Sequence, residues 1–178
     1  MIAQMAELVD ALVSNTNEET RAGSTPALGT KSFLINSILK KQEKYDRAYL
    51  KMALEWAKLS HCTRKKVGAL IVKDQMIISD GYNGTPSGFE NLCEKNNITK
   101  WEVLHAEANA ILKCAKHGTS CNEGTLYLTL SPCKECSKLI HQAGIKRVVY
   151  LDKYKDETGI EFLKKAKVEV IEFNRMNL

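Results

Sequence analysis

The sequence predicts an α/β domain in three layers, α/β/α, around a mixed five-stranded sheet. Three observations carry that expectation. Short apolar runs of strand length alternate with amphipathic helical stretches from residue 46 onward. Two of those runs are separated only by Lys73-Asp74-Gln75, which reads as a hairpin. The alternation that follows places helices on both faces of one sheet.

The elements follow in order. Tyr49, Met52, Trp56 and Leu59 recur on one face of a first helix, with Asp46 placed as its cap. Residues 67–72 and 76–79 are the two strands of the hairpin, and a long polar loop over 83–100 leads away from them. A helix is expected over 105–116 with Gly118 past its end, then a strand at 125–130. Pro132 opens a helix over 133–142 that Gly144 stops. A strand at 147–151, a helix near 157–166 and a strand at 168–173 complete the pattern.

The 178 residues suffice for one ordinary domain whose core needs no covalent staples. There are 26 basic and 21 acidic residues. Setting aside residues 1–30, which hold four acidic residues against Arg21 alone, the balance rises to +8. That charge suits a phosphate-bearing ligand. The lysines are nevertheless spread along the chain, as on an ordinary solvated surface. Six cysteines with no secretory leader before them are expected as thiols of a reducing compartment, available to metal. No apolar stretch approaches the roughly 20 residues that span a bilayer. A soluble, cytoplasmic protein is expected.

Residues 1–44 read as an N-terminal extension, and residues 45–178 as the catalytic domain. Ile2, Met5, Leu8, Val9 and Leu12 fall at helical spacing, but Gly23, Pro26 and Gly29 break the stretch after them. The wording 6–12 and Gly23-Ser24-Thr25-Pro26 can be back-translated into the start and T-loop of a bacterial leucine transfer-RNA gene. Two readings stand: a real but disordered tail, or an artefact of gene calling with the true start at Ile38 or Leu39.

The chemistry lies in two motifs. Cys133 and Cys136, two residues apart at a helix N-terminus, sit where the helix dipole and unpaired amides favour thiolate. A catalytic zinc takes a third protein ligand and a water. His105, at the start of another helix, is the candidate. Glu107 follows two residues later, close enough to take a proton from that water without ligating the metal. Zinc would bring the water pKa towards about 7. Attack at C4 of a cytosine then releases ammonia, with Glu107 protonating the ring nitrogen and the departing amine. His-x-Glu alone is an ordinary helix start, and Cys-x-x-Cys alone is a zinc knuckle or a redox pair. Together they match the signature of zinc-dependent deaminases.

With these motifs the chain resembles the deoxycytidylate (dCMP) deaminase family, within the cytidine deaminase-like fold, over residues 45–173. The residues that carry the likeness are Cys62-Thr63-Arg64-Lys65-Lys66-Val67-Gly68-Ala69, Gly81-Tyr82-Asn83-Gly84-Thr85-Pro86-Ser87-Gly88, His105 to Ile111, and Leu130-Ser131-Pro132-Cys133. Transfer-RNA adenosine deaminases share the zinc signature but differ at the Gly-Tyr-Asn-Gly stretch. The resemblance implies conversion of dCMP to dUMP and ammonia, supplying dUMP for thymidylate synthesis. It also implies roles: Asn83 on the deoxyribose, Val67 on the base, the Ala106 amide on the pyrimidine carbonyl, the Ser131 carbonyl on the leaving amine and Tyr154 near the phosphate.

The same resemblance implies an allosteric site in a homo-oligomer, a hexamer in relatives, activated by dCTP and inhibited by dTTP. Gly81, Gly84 and Gly88 would admit phosphates and Arg64, Lys65 and Lys66 neutralise them; the plainer reading is a turn-rich loop. One catalytic zinc is expected. Cys62 and Cys93 are expected as free thiols that simply pack, the alternative being a second, structural zinc held with His61 as in some relatives. Cys114 and Cys121 have no partner that spacing reveals, and His117 and His141 sit as favourable charges near helix ends.

Two other functions compete. A deaminase acting on a base in RNA or DNA would want a basic C-terminal helix, where this sequence predicts a strand. A zinc-stabilised binding module would have no use for Glu107. Neither stable nucleic-acid binding nor membrane binding is expected.

Overall fold

The computed structural model describes residues 28–178, with side chains from Phe33 onward. Residues 1–27, and with them the readings of Ile2 to Leu12 and Gly23 to Pro26, lie outside the described residues. Asp46–Leu178 forms one compact unit.

A hairpin opens the sheet, β1 (Gly68–Lys73) returning as β2 (Met76–Tyr82). Its turn is tighter than Lys73-Asp74-Gln75 suggests. Asp74 and Gln75 alone make it, both at positive φ (51° and 62°), the backbone of a two-residue turn whose twist matches that of the strands. Then come β3 (Glu94–Lys95), β4 (Ile98–Thr99), β5 (Thr125–Leu130), β6 (Arg147–Asp152) and β7 (Glu169–Glu172). The main sheet has the order β2-β1-β5-β6-β7. Since β1 is antiparallel to β2 and β5 while β5, β6 and β7 are parallel, the sheet is mixed and five-stranded, as expected.

The described helices are α1 (Leu28–Lys58), α2 (Ala106–Lys116), α3 (Lys134–Gln142) and α4 (Thr158–Lys165). Strand side chains alternate between two cores. Ala69, Ile71, Leu126, Leu128, Val148 and Tyr150 face α2, α3 and α4. Leu70, Val72, Tyr127, Val149 and Leu151 face α1. Burial on both faces is why these strands read as continuous apolar runs. Among the described residues no helix is long and apolar enough to cross a membrane.

The first helix departs from expectation in three ways. It is already helical over 28–44, part of the segment read as an extension without regular structure. Asp46 therefore lies inside it and caps nothing. Its buried face is Asp46, Leu50, Ala53 and Ala57, whereas Met52 and Leu59 are exposed and Tyr49 and Trp56 half-buried. Large side chains suggested one face, but the helix lies close on the sheet at Gly68, where a Cβ would run into the backbone of Ala53 and Ala57. A smaller correction concerns α3, which begins at Lys134 with Cys133 as its N-cap, so Pro132 precedes the cap.

Asp46 is 4% exposed and faces Arg147, itself 6% exposed, at the start of β6. The guanidinium grips the carboxylate with both ends, at 2.6 Å and 2.8 Å, and Tyr127 Oη donates to the same carboxylate at 2.8 Å. Burial, and then the Asp46 charge, push the Tyr127 hydroxyl well above its ordinary range, so it stays a donor. Removing one member of such a pair leaves a buried charge uncompensated, at a cost of about 3–5 kcal/mol. Asp46→Ala should lower the urea midpoint of unfolding by a corresponding margin, and an unchanged midpoint would refute this account of the pair.

Candidate active site

Two helices present their N-termini to each other beside the sheet. His105 is the N-cap of α2 and Cys133 the N-cap of α3, both in extended backbone conformation (ψ 155° and 168°). An N-cap side chain usually folds back onto its own helix amides. Neither of these does. Both are left to point across the gap, where Cys136 joins them from the first turn of α3.

Glycines permit this approach. A Cβ at Gly81 on β2 would run into the Ala106 carbonyl and Ala110 of α2. One at Gly159 on α4 would strike the Pro132 carbonyl, the Ser137 hydroxyl and the backbone of Cys133. Both helix starts are thus seated by contacts that only glycine allows.

His105 Nδ1 lies 3.5 Å from Cys133 Sγ and 3.4 Å from Cys136 Sγ, and the three ligand atoms fall within 4.8 Å of one another. Tetrahedral zinc with ordinary Zn–S and Zn–N bonds sets sulfur and nitrogen about 3.5 Å apart. The donor set fits zinc on geometry as well as on softness. Hydrogen bonds from Cys136 and His105 hold the Cys133 thiol down at about 3 against the opposing effect of its burial, while the hydrogen bond to Cys133 and burial push Cys136 well above its ordinary range, so Cys133 is the sulfur set up as thiolate.

Glu107, 4% exposed, stands in the first turn of α2 beside this trio. Burial pushes its carboxyl up to about 7. A carboxyl held there exchanges protons readily at neutral pH, as a shuttle must.

The trio opens onto a cleft of ≈ 520 Å³. Val67, Asn83, Ala106, Glu107, Ser131 and Tyr154 all line it, so the expected substrate-binding residues are gathered in one place. Asn83 is already half committed. Its Oδ1 accepts from Val67 N and its Nδ2 donates to Lys65 O, both at 2.8 Å, leaving one N–H and one lone pair for a ligand.

The six residues expected to form an allosteric site do not come together. Arg64 and Lys65 line the cleft, and Lys66 is exposed outside it. Gly81 is packed under α2. Gly84 and Gly88 instead border a second cavity of ≈ 600 Å³ with His61, Lys113, Lys116 and His117. The strand β2 carries Gly81 into the sheet; Asn83 stays beside Lys65 and Val67, but Gly84 pairs with Leu104 and Gly88 follows on the side of the second cavity. Neighbours in a motif are thereby separated in space.

Cys62 and Cys93 are joined in a disulfide. They are neither free thiols nor available as ligands with His61. Their separation of 31 residues hides the pairing, which depends on the short β3–β4 hairpin folding back over residues 62–65. Glu94 of that hairpin accepts from Thr63 N and Arg64 N, and Arg64 Nη1 donates to Thr99 Oγ1 at 3.0 Å. Glu94 and Thr99 become a cleft wall that the sequence reading left inside a polar loop. Asn96-Asn97, both at positive φ, was the turn signal. Lys153 and Lys155, either side of Tyr154, also line the cleft and were also missed.

Comparison with known proteins bears on the same residues. A family model described as the cytidine and deoxycytidylate deaminase zinc-binding region matches residues 43–152. The chain belongs to that family. It is 34% identical over 163 residues to the deoxycytidylate deaminase of Enterobacteria phage T4, covering 67% of this chain and 84% of that protein. It is 34% identical over 154 residues to the human deoxycytidylate deaminase, covering 72% and 85%. Among solved structures, a dCMP deaminase from cyanophage S-TIM5 in complex with dCMP and dUMP superposes with a TM-score of 0.70 at 46% identity, covering 71% of this chain and 95% of that one.

Members of this family with the same trio should lose metal when one thiolate goes. Cys133→Ala should bind zinc in far less than stoichiometric amount by elemental analysis; full zinc content would show that the trio is not the site.

Proposed function

We propose that this protein hydrolyses dCMP to dUMP and ammonia. The observation that carries the reading is the zinc-spaced His105-Cys133-Cys136 trio with the buried Glu107 beside it, in a cleft edged by Arg64, Lys65, Lys153 and Lys155. The names of the T4 and human relatives, and the dCMP and dUMP in the cyanophage structure, support the choice of nucleotide.

His105, Cys133 and Cys136 would hold one zinc ion, which when bound lowers the pKa of a water enough to supply hydroxide at neutral pH. As the oxygen of a water adds at C4, Glu107 would take one of its protons and deliver it to the ring nitrogen N3. It would then pass the second proton, from the new C4 hydroxyl, to the exocyclic amine, which leaves as ammonia as the C4–N bond breaks. The Ala106 amide holds the pyrimidine carbonyl, the Ser131 carbonyl accepts from the amine, and Val67 packs on the base. The uncommitted half of the Asn83 amide meets the deoxyribose. At the far end Tyr154 and the four cationic side chains receive the phosphate. A nucleotide substrate suits a cytoplasmic setting, whereas the Cys62–Cys93 disulfide is a bond that a reducing compartment disfavours.

Regulation by dCTP and dTTP is part of the proposal, relocated to the second cavity. There Gly84 and Gly88 offer backbone and Lys116 offers positive charge, with Lys113, paired to Asp80 at 2.6 Å, beside it. Exposed Phe89, Leu92, Ile98 and Trp101 nearby suit contacts in a homo-oligomer such as a hexamer. Residues 45–178 form the catalytic domain in this reading, the described lining of the cleft running from Cys62 to Lys155.

Ammonia release should be seen with dCMP and fall about 10²–10⁴-fold in Glu107→Gln, with zinc retained. Release only from an adenosine-bearing RNA would overturn the substrate, and undiminished turnover in the variant would overturn the mechanism. If the second cavity is regulatory, dCTP should steepen activity at low dCMP and dTTP should oppose it. A rate curve and oligomeric state indifferent to both nucleotides would remove the regulatory part.

A further inference from the structure

The hydroxyl of Ser131 is not used by the chemistry above, which calls only on its carbonyl. The side chain is nonetheless committed. Ser131 is 3% exposed, and its Oγ accepts a 2.7 Å hydrogen bond from the backbone N–H of Tyr154. Its own backbone N–H donates to Asp152 O at 2.8 Å, extending the parallel pairing of β5 with β6 by one step. Ser131 therefore holds the last residue of β6 through its N–H and the second residue beyond it through its hydroxyl.

What it holds is the segment from β6 to α4. Lys153, Tyr154 and Lys155 all face the cleft, and no residue of the segment belongs to a strand or helix. Its ends are fixed separately. Arg175 pairs with Asp152 at 2.9 Å and 3.1 Å, and Asp156 accepts from Thr158 N and Oγ1 at the start of α4. In between, Lys153 Nζ pairs with Glu172 of β7 at 3.1 Å, and the Ser131 hydroxyl ties the backbone at Tyr154, the residue that bears the cleft tyrosine. It stands two residues before Cys133, so one short turn joins the metal ligands to the cationic edge.

We propose that the Ser131 hydroxyl is a positioning residue for nucleotide specificity. By fixing the Tyr154 backbone relative to the Cys133 turn, it sets Lys153 and Lys155 at the distance from the reacting base that a 5′-monophosphate requires. This rests on the dCMP reading. Cationic side chains on an untied segment would still attract an anion, but without the fixed geometry that rewards one of the right length. A serine whose hydroxyl served only to satisfy a buried amide would affect stability and leave selectivity alone.

The test compares the wild type with Ser131→Ala, Ser131→Cys and Ser131→Thr, each checked for zinc content and unfolding midpoint. Binding of dUMP and of deoxyuridine is measured by competition against dCMP turnover. Loss of one such hydrogen bond is expected to weaken dUMP about fivefold in the alanine variant, with deoxyuridine changed less than about twofold on the same scale. KM for dCMP should rise more than kcat falls. Threonine, which keeps the hydroxyl, should restore the preference. Cysteine, close in size with a weaker acceptor, should fall between, which keeps the comparison readable if the alanine variant is unstable. Equal weakening of both ligands, or none, overturns the proposal. A wild type that prefers no phosphorylated ligand overturns the dCMP reading itself, and that result is visible before any variant is made.

Discussion

The close seating of two helix starts is the constraint from which the rest of the cleft follows. At Gly81 and Gly159 the backbone of one element touches the backbone of the next, with no room for a side chain. These contacts bring the N-caps of α2 and α3 within reach of each other, so that His105 and Cys133 meet. A gap wider by one methyl group would part nitrogen from sulfur and leave no common point for a metal. The site thus depends on residues that touch neither metal nor substrate.

That geometry also sets the electrostatics. Helix N-termini favour negative charge, and Cys133 stands at one of them with its thiol lowered. The same convergence buries Glu107, and burial is the largest cause that lifts its carboxyl. One arrangement therefore stabilises charge on Cys133 and withholds it from Glu107. The two demands are met because Cys133 is half-exposed and hydrogen-bonded, while Glu107 lies deeper in the first turn of its helix.

On the opposite face of the sheet the molecule solves a different problem. Asp46, Arg147 and Tyr127 bring polar atoms into an apolar layer, and each group there has to be answered by another. Arg147 opens β6, the strand whose far end carries the Lys153–Lys155 segment. The ion pair anchors one end of the strand under α1, and Ser131 and Arg175 secure the other beside the cleft. A strand held at both ends gives the loop beyond it a defined starting point.

Much of this was legible in the chain itself. Strand periods, the glycines after α2 and α3, and the order of His-x-Glu and Pro-Cys-x-x-Cys determine the α/β pattern and single out the His105-Cys133-Cys136 trio and Glu107, because these depend on residue type at short spacing. What short spacing cannot carry is which distant segments meet. The Asp46–Arg147 pair, the Cys62–Cys93 bond, the division of residues 64–66 from Gly84 and Gly88, and the Ser131–Tyr154 tie all join residues well apart in sequence. Asp46 in particular has the chemistry of a cap and of a buried partner alike. Only the packing of α1 on the sheet, through Ala53 and Ala57, decided between them, since burial next to a guanidinium is a property of the fold and not of the local sequence.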